Sequence, residues 1–154
     1  MEAMDYVAIL GAVTGTVGAF WHLRNYWWDR PHIRVTLKHA VPVGSLARYG
    51  LMIALTAVNT GKRRIQLTGA GLDIEGGQYI PFVSGTIGIS EPPLPAWLEG
   101  GSSYTVYWFF DPLARSLRED NNSFPPRYAW FGDATDKKYG TPVDGKLFFV
   151  KSAG

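Results

Sequence analysis

The hydrophobic pattern divides the chain into an apolar N-terminal segment and a longer body in which apolar and polar residues alternate. Residues 6–21 contain no charged side chain. In a helix this run covers about 24 Å, whereas the core of a membrane is roughly 30 Å thick. Residues 22–24 extend the run if the Arg24 side chain reaches back to the interface. Because Pro31 disfavours helical geometry in the residue before it, the pattern predicts a transmembrane helix within residues 1–30.

Aromatic and basic residues cluster where this helix is predicted to end. Tyr and Trp side chains concentrate at membrane–water interfaces, and Arg side chains reach the headgroups beside them. The cluster therefore predicts a set of membrane-interface anchors, which consists of Arg24, Tyr26, Trp27, Trp28 and Arg30.

Small residues recur every fourth position of the same segment, at Gly11, Gly15 and Ala19. This spacing places them on one side of a helix, where small side chains let two backbones approach closely. We interpret them as a helix-contact face for self-association or for a protein partner. Loose packing of an ordinary membrane helix is the alternative reading.

Two other interpretations of the N-terminal segment stay open. The helix could pack inside a partner or an assembly instead of lipid. It could also be a targeting segment, although a secretory signal peptide has a positive start and small residues at its cleavage site. Here Glu2 and Asp5 precede the apolar run, and the bulky pair Trp27-Trp28 follows it.

Short strands are predicted along most of the body. Ile33, Val35 and Leu37 alternate with polar residues, which is typical of a half-buried strand. A continuous apolar run predicts a central strand over 51–59, and Gly69 and Gly71 predict a bulge or close approach within the strand over 65–74. Turns are expected at 59–62, where Gly61 would take positive φ, and at 75–77 and 99–101. Further strands are predicted over 78–83, 104–110 and 127–131, as a hairpin over 133–140, and over 146–151.

Two segments of the body are expected to differ from these strands. Residues 91–95 are predicted to cross between two sheets. Asp111 and Pro112 are expected to cap a short helix that buries Leu113 and Leu117. The fold class is thus predicted as all-β: an immunoglobulin-like antiparallel β-sandwich with one short crossover helix over residues 31–154, preceded by a single N-terminal apolar helix at 1–30.

The body resembles small bacterial proteins of unknown function that carry an immunoglobulin-like domain after one N-terminal membrane helix. The resemblance spans most of residues 33–140, and it implies a fold but no activity. Its residues are the turn 58–63 with Gly71-Leu72, Leu94-Pro95 with Leu98-Glu99-Gly100, Asp111 with the helix 113–117, and Asp133-Ala134-Thr135 with Lys138-Tyr139.

Candidate chemistry is sparse. The chain has no cysteine, which excludes disulfides and thiolate sites, and its net charge of +2 indicates no nucleic-acid partner. His22, His32 and His39 form no local ligand pattern, and neither a nucleophile elbow nor a phosphate-binding loop is present. Asp133 and Asp136 are interpreted as turn-forming aspartates; the alternative is that they gather with Asp111 and residues 120–122 at one end of the sandwich and bind calcium. We predict no cofactor, no small-molecule substrate and no catalysis.

The densest basic cluster is Lys62, Arg63 and Arg64, which is either a solvated turn or a contact with lipid headgroups. The prediction for the whole protein is a membrane-anchored, non-catalytic interaction or scaffold domain. Its partners would be the lipid bilayer and an unidentified protein. The alternative is a structural component of a phage or envelope assembly whose N-terminal helix packs against neighbouring subunits. Because Arg24, Arg30, Arg34 and Lys38 follow the helix, we expect a single-pass protein with its N-terminus outside and its body in the cytoplasm.

Overall fold

The N-terminal segment forms one helix, α1 at Ala3–Trp28. Within it, Tyr6–Trp27 is long and apolar enough to cross a membrane, and none of this span is buried inside the chain. Its 22 residues measure about 33 Å, close to the roughly 30 Å of a hydrocarbon core. A helix within residues 1–30 that ends before Pro31 is confirmed, and its membrane location stays a prediction. The side chain of Trp28 lies outside the described residues.

The computed structural model describes residues 3–44, 47, 50–74, 77–85, 88–90, 92–119 and 126–148. Within these ranges the body contains nine strands and a second helix, α2 at Phe110–Glu119. The strands are β1 Ile33–Ala40, β2 Met52–Asn59, β3 Ile65–Asp73, β4 Tyr79–Pro81, β5 Gly88–Ser90, β6 Ala96–Leu98, β7 Ser103–Phe109, β8 Tyr128–Asp133 and β9 Lys138–Pro142.

The strands form two antiparallel sheets. The first has the order β1-β2-β7-β5, so β2 is a central strand as predicted. The second has the order β4-β3-β8-β9, with β6 also paired to β3. Residues 91–95 connect β5 in the first sheet with β6 in the second, so the predicted crossing between the sheets is confirmed. Glu91 itself lies outside the described residues.

One hydrophobic core lies between the sheets because alternate residues of each strand face the same side. Leu55 and Trp108 from the first sheet and Leu67 and Phe131 from the second are completely buried in it. In β1, Val35 is buried while Arg34 and Lys38 are exposed, as the alternation predicts. The body is therefore an antiparallel two-sheet structure.

Both expectations for the glycines of β3 are confirmed. The pairing of β3 with β8 shifts register between Leu67 and Gly69, which marks a bulge. The Trp130 ring lies so close to Gly71 that a Cβ on this glycine would overlap it. Gly71 is required there because the ring covers the outer face of the second sheet.

Helix α2 begins at Phe110, one residue before the predicted cap at Asp111. Asp111 thus lies in the first turn, where its negative charge is favourable near the helix N-terminus. Leu113 is buried, as predicted, whereas the side chain of Leu117 lies outside the described residues.

The strand predicted over 146–151 is wrong for its first residues, because Gly145–Phe148 forms a single-turn 3₁₀ helix. The Asp144 carboxylate accepts a hydrogen bond from the Lys146 amide at 3.0 Å, and the Asp144 carbonyl accepts one from Leu147 at 2.9 Å. These local bonds favour a turn over strand pairing. Residues 149–151 lie outside the described ranges.

The hairpin between β8 and β9, predicted over 133–140, is organised by the buried carboxylate of Asp133. This carboxylate accepts hydrogen bonds from the amide and hydroxyl of Thr135 at 2.8 and 2.6 Å, from the Lys137 amide at 3.1 Å and from the Tyr139 hydroxyl at 3.0 Å. Burial raises the pKa of Asp133, but these hydrogen bonds outweigh it, so the pKa stays below its ordinary value. Burial, together with the Asp133 charge, raises the pKa of Tyr139 to about 12.

Asp133→Asn should lower the free energy of unfolding by about 1–3 kcal/mol near neutral pH, because charge-assisted hydrogen bonds are lost. Since the folded pKa of Asp133 is below the unfolded one, its contribution is complete above about pH 4 and disappears as the pH falls through the folded pKa. Urea unfolding at a series of pH values should therefore show that the free energies of unfolding of the Asp133→Asn variant and of the unchanged chain converge in acid.

The matched control is Asp136→Asn in the same hairpin. Asp136 is exposed and has positive φ, which Asn tolerates. A constant difference between the Asp133→Asn variant and the unchanged chain from neutral pH to acid would contradict the ionised role of Asp133.

Candidate functional site

The end of α1 is held against the body by backbone contacts. The Thr60 amide donates a hydrogen bond to the His32 carbonyl at 2.8 Å, and the Thr60 hydroxyl donates to the same oxygen at 3.1 Å. Gly61 lies so close to the linker that a Cβ would overlap the Arg30 carbonyl oxygen. The prediction that Gly61 takes positive φ is wrong, since the structure requires glycine here for this close approach.

The buried side chain of Asn59 shapes the turn that meets the linker. Its amide nitrogen donates hydrogen bonds to the carbonyls of Arg63 at 2.7 Å and Leu98 at 3.3 Å. Its carbonyl oxygen accepts one from the Gly61 amide at 3.0 Å. The Asn59 side chain therefore joins the β2–β3 turn to the end of β6.

Strand register places several turns at the same end of the body as α1. The pairs Ile33–Asn59 and Ile65–Leu98 bring the α1–β1 linker, the β2–β3 turn and the β6–β7 turn together. Backbone contact between Gly100 and Lys62 joins the last two turns. We call this end of the body the helix-proximal end.

The three residues of the predicted headgroup contact, Lys62, Arg63 and Arg64, are exposed at the helix-proximal end. An Arg63 guanidinium nitrogen lies 3.9 Å from an Asp29 carboxylate oxygen, at the end of α1. The Arg64 guanidinium lies 4.7 Å from the centre of the Trp97 ring. We call Lys62, Arg63, Arg64 and Trp97 the basic tip.

The predicted interface anchors form their own stacked pairs. The Arg30 guanidinium lies 4.7 Å from the Tyr26 ring centre and 5.5 Å from that of Trp27, and Arg24 lies 5.6 Å from Trp21. Tyr26 and Trp27 are more than half exposed. The structure thus brings these anchors next to the basic tip, although the sequence predicted the two groups separately.

A cleft of about 390 Å³ lies at this junction, lined by Trp27, His32, Thr60 and Gly61. The Nδ1 atom of His32 lies 2.9 Å from the Arg30 carbonyl, which accepts a hydrogen bond when Nδ1 carries the proton. The Trp27 ring lines this cleft, and the positively charged Arg30 guanidinium lies beside that ring. An aromatic ring next to a cation suits contact with a surface that is both amphipathic and anionic.

The helix-contact face predicted at Gly11, Gly15 and Ala19 is exposed along α1. A Cβ on either glycine would have no heavy atom within 4 Å. Other parts of the described chain therefore do not cover the two glycines, and the face itself stays a prediction.

Asp133 forms its own turn, as predicted, and the alternative of a calcium site that gathers it with Asp111 is wrong. Asp133 pairs in register with Leu67 near the helix-proximal end, whereas Asp111 follows Phe109, which pairs with Met52 at the opposite end. Residues 120–122 lie outside the described ranges. Among the described residues, no group of three or more His, Asp or Glu side chains could hold a metal ion.

Sequence reasoning missed the roles of Asn59 and Trp97. Trp97 lies between the buried residues Ala96 and Leu98, and this alternation indicates an outward tryptophan. Its contact with Arg64 depends on the pairing of β6 with β3, which the sequence alone does not specify. Asn59 was assigned only to a turn.

No protein-family model matches the chain, and comparison with curated proteins and with solved structures also gives no match.

Gly61→Ala should lower the free energy of unfolding by about 1–3 kcal/mol, because the added Cβ forces the linker away from the turn. The matched control is Gly69→Ala, where a Cβ meets nothing within 4 Å. Thermal unfolding of the full chain in detergent should show a loss only for Gly61→Ala. Equal stability of the two variants would contradict the close contact between linker and turn.

Proposed function

We propose that this protein is a single-pass, membrane-anchored and non-catalytic interaction or scaffold protein. The observation that carries the proposal is helix α1, which has an exposed apolar span of 22 residues and ends at a fixed junction with the body. The uncharged run over residues 6–21, the stacked Arg and aromatic residues near the C-terminal end of α1 and the basic tip follow one another in the order expected on leaving a bilayer.

The exposed apolar surface of α1 supports a lipid environment. In water such a surface costs about 25 cal/mol for each Å². Lipid tails or other protein helices remove this cost. More than half of each of the following side chains is exposed: Tyr6, Val7, Leu10, Val13, Val17, Phe20, Trp21, Leu23, Tyr26 and Trp27.

For the body we propose an immunoglobulin-like sandwich. The two antiparallel sheets, their shared core and the transfer of the chain from β5 to β6 support this fold. The resemblance to small bacterial membrane-anchored proteins of unknown function points the same way. This fold supports many functions, so contact with a protein partner remains the proposal for the body.

The use of two buried polar side chains favours a non-catalytic role. The Asn59 side chain bonds to its own turn and to the Leu98 carbonyl, and the Asp133 side chain bonds within its own hairpin. The polar atoms of these two side chains stabilise turns. The proposal includes no cofactor, small-molecule substrate or nucleic acid.

The exposed glycine face of α1 favours a second candidate, a structural component of a phage or envelope assembly. In that case neighbouring subunits would cover Gly11, Gly15 and Ala19 along with the rest of the helix. An assembly helix would copurify with its protein partner, whereas a lipid anchor would depend on detergent.

The full chain should sediment with membranes and resist carbonate extraction, because the apolar span of α1 stays in lipid. A shortened chain beginning at Pro31 should be soluble and folded, as measured by circular dichroism. Recovery of the full chain in the soluble fraction without a partner would contradict the anchor.

The orientation follows from the basic residues after the uncharged run over residues 6–21. Cytoplasmic segments carry excess Lys and Arg within about 15–20 residues of a membrane helix, and Arg24, Arg30, Arg34 and Lys38 all follow the apolar run. A fluorescent or phosphatase reporter fused after Gly154 should therefore report a cytoplasmic location. A phosphatase active only on the exported side would reverse the orientation.

A further inference from the structure

We propose that the basic tip docks the body onto anionic lipid headgroups of the same bilayer that α1 spans. The Arg64–Trp97 pair would then be a second membrane contact beside the helix, so the body would have a fixed orientation on the surface. This inference rests on the proposed function, because it needs α1 in lipid.

The geometry of the junction keeps the basic tip close to the end of α1. Only residues 29–32 separate α1 from β1, and the contacts of Thr60 and Gly61 hold the β2–β3 turn against them. The Asn59 hydrogen bonds fix the shape of this turn. The cluster of positive charges therefore lies where α1 enters the body and cannot move away independently.

The charge of the basic tip fits a negatively charged leaflet. Lys62, Arg63 and Arg64 are consecutive and exposed. The opposite end of the body carries mixed charges, among them Asp111, Arg115, Asp144 and Lys146. Basic side chains close to a membrane helix are attracted to anionic headgroups within about 8 Å of the surface at physiological salt.

The Trp97 side chain gives the basic tip its amphipathic character. The side chain is 55% exposed although both neighbours in β6 are buried. A tryptophan with an apolar ring and a polar N–H group favours the headgroup region. With Arg64 stacked at 4.7 Å, the pair presents a cation and an aromatic ring together.

Lipid is favoured over nucleic acid as the occupant because the basic tip is continuous with the interface anchors of α1. The Arg63–Asp29 ion pair links the tip to the end of the helix, and Arg30 stacks on Tyr26 and Trp27 next to it. Basic and aromatic residues also bind single-stranded nucleic acid, so this class becomes an outcome of the test.

The test uses the full chain reconstituted into vesicles of phosphatidylcholine alone or with phosphatidylserine. The chain has no cysteine, so Glu99→Cys places a single fluorescent label beside Trp97. Val43→Cys, which replaces a side chain that is 80% exposed beyond the far end of β1, gives the matched control label. Quenching by headgroup-labelled lipid reports proximity to the membrane, and quenching by aqueous iodide reports exposure to water.

We expect phosphatidylserine to raise lipid quenching and lower iodide quenching at residue 99 but not at residue 43, and high salt to reverse the change. Each neutralised charge in Lys62→Gln and Arg64→Gln should lower the docked-to-undocked ratio by about five-fold. Trp97→Ala should also reduce the protection of the label at residue 99. The matched charge control is Arg115→Gln with Lys146→Gln, which should change neither label.

If the chain inserts into both vesicle types and the label at residue 99 is equally accessible in both, docking is overturned but the membrane anchor is not. Failure to insert into either vesicle type would overturn both proposals. Protection of residue 99 by added single-stranded RNA, but not by phosphatidylserine, would also overturn lipid docking. Thermal unfolding of every variant distinguishes loss of the lipid contact from loss of the fold. A variant that unfolds is replaced by Lys62→Gln alone.

Discussion

The buried amide of Asn59 connects the segments on which the rest of the structure depends. It lies where β2 ends, and it bonds to the Arg63 and Leu98 carbonyls and to the Gly61 amide. The Asn59 backbone adds bonds to Ser102 at 3.0 Å and Gly101 at 2.8 Å. Since a buried acceptor without a partner costs about 1–3 kcal/mol, this one residue stabilises two turns, β2–β3 and β6–β7, each of which connects one sheet to the other.

The hydrogen bonds of Asn59 also influence the position of helix α1. The turn shaped by Asn59 places Gly61 against the Arg30 carbonyl, and Thr60 binds the His32 carbonyl. A linker with two ordered backbone contacts behaves differently from a flexible tether, because its conformational entropy is already reduced in the folded chain. The position of α1 therefore depends on a turn that is about 30 residues away in sequence.

Local patterns predicted the elements that depend on local physics. Alternation identified β1, and glycine spacing identified the bulge and the close approach in β3. The apolar run after Lys146 was ambiguous, because a short run of this kind fits either a strand or a buried turn. The roles of Asn59 and Trp97, and the separation of Asp111 from Asp133, follow from strand register across the chain. Single-sequence periodicity does not contain that information.

Helical geometry links the two ends of α1. Tyr26 follows Ala19 by seven residues, so it lies within about 20° of the face that contains Gly11 and Gly15. Arg30 stacks on Tyr26, and the Arg30 carbonyl meets Gly61. The small-residue face therefore has a set direction relative to the body. Helices that associate through this face would bring two Tyr26–Arg30 pairs and two bodies side by side, so helix association and contacts between bodies would be geometrically coupled.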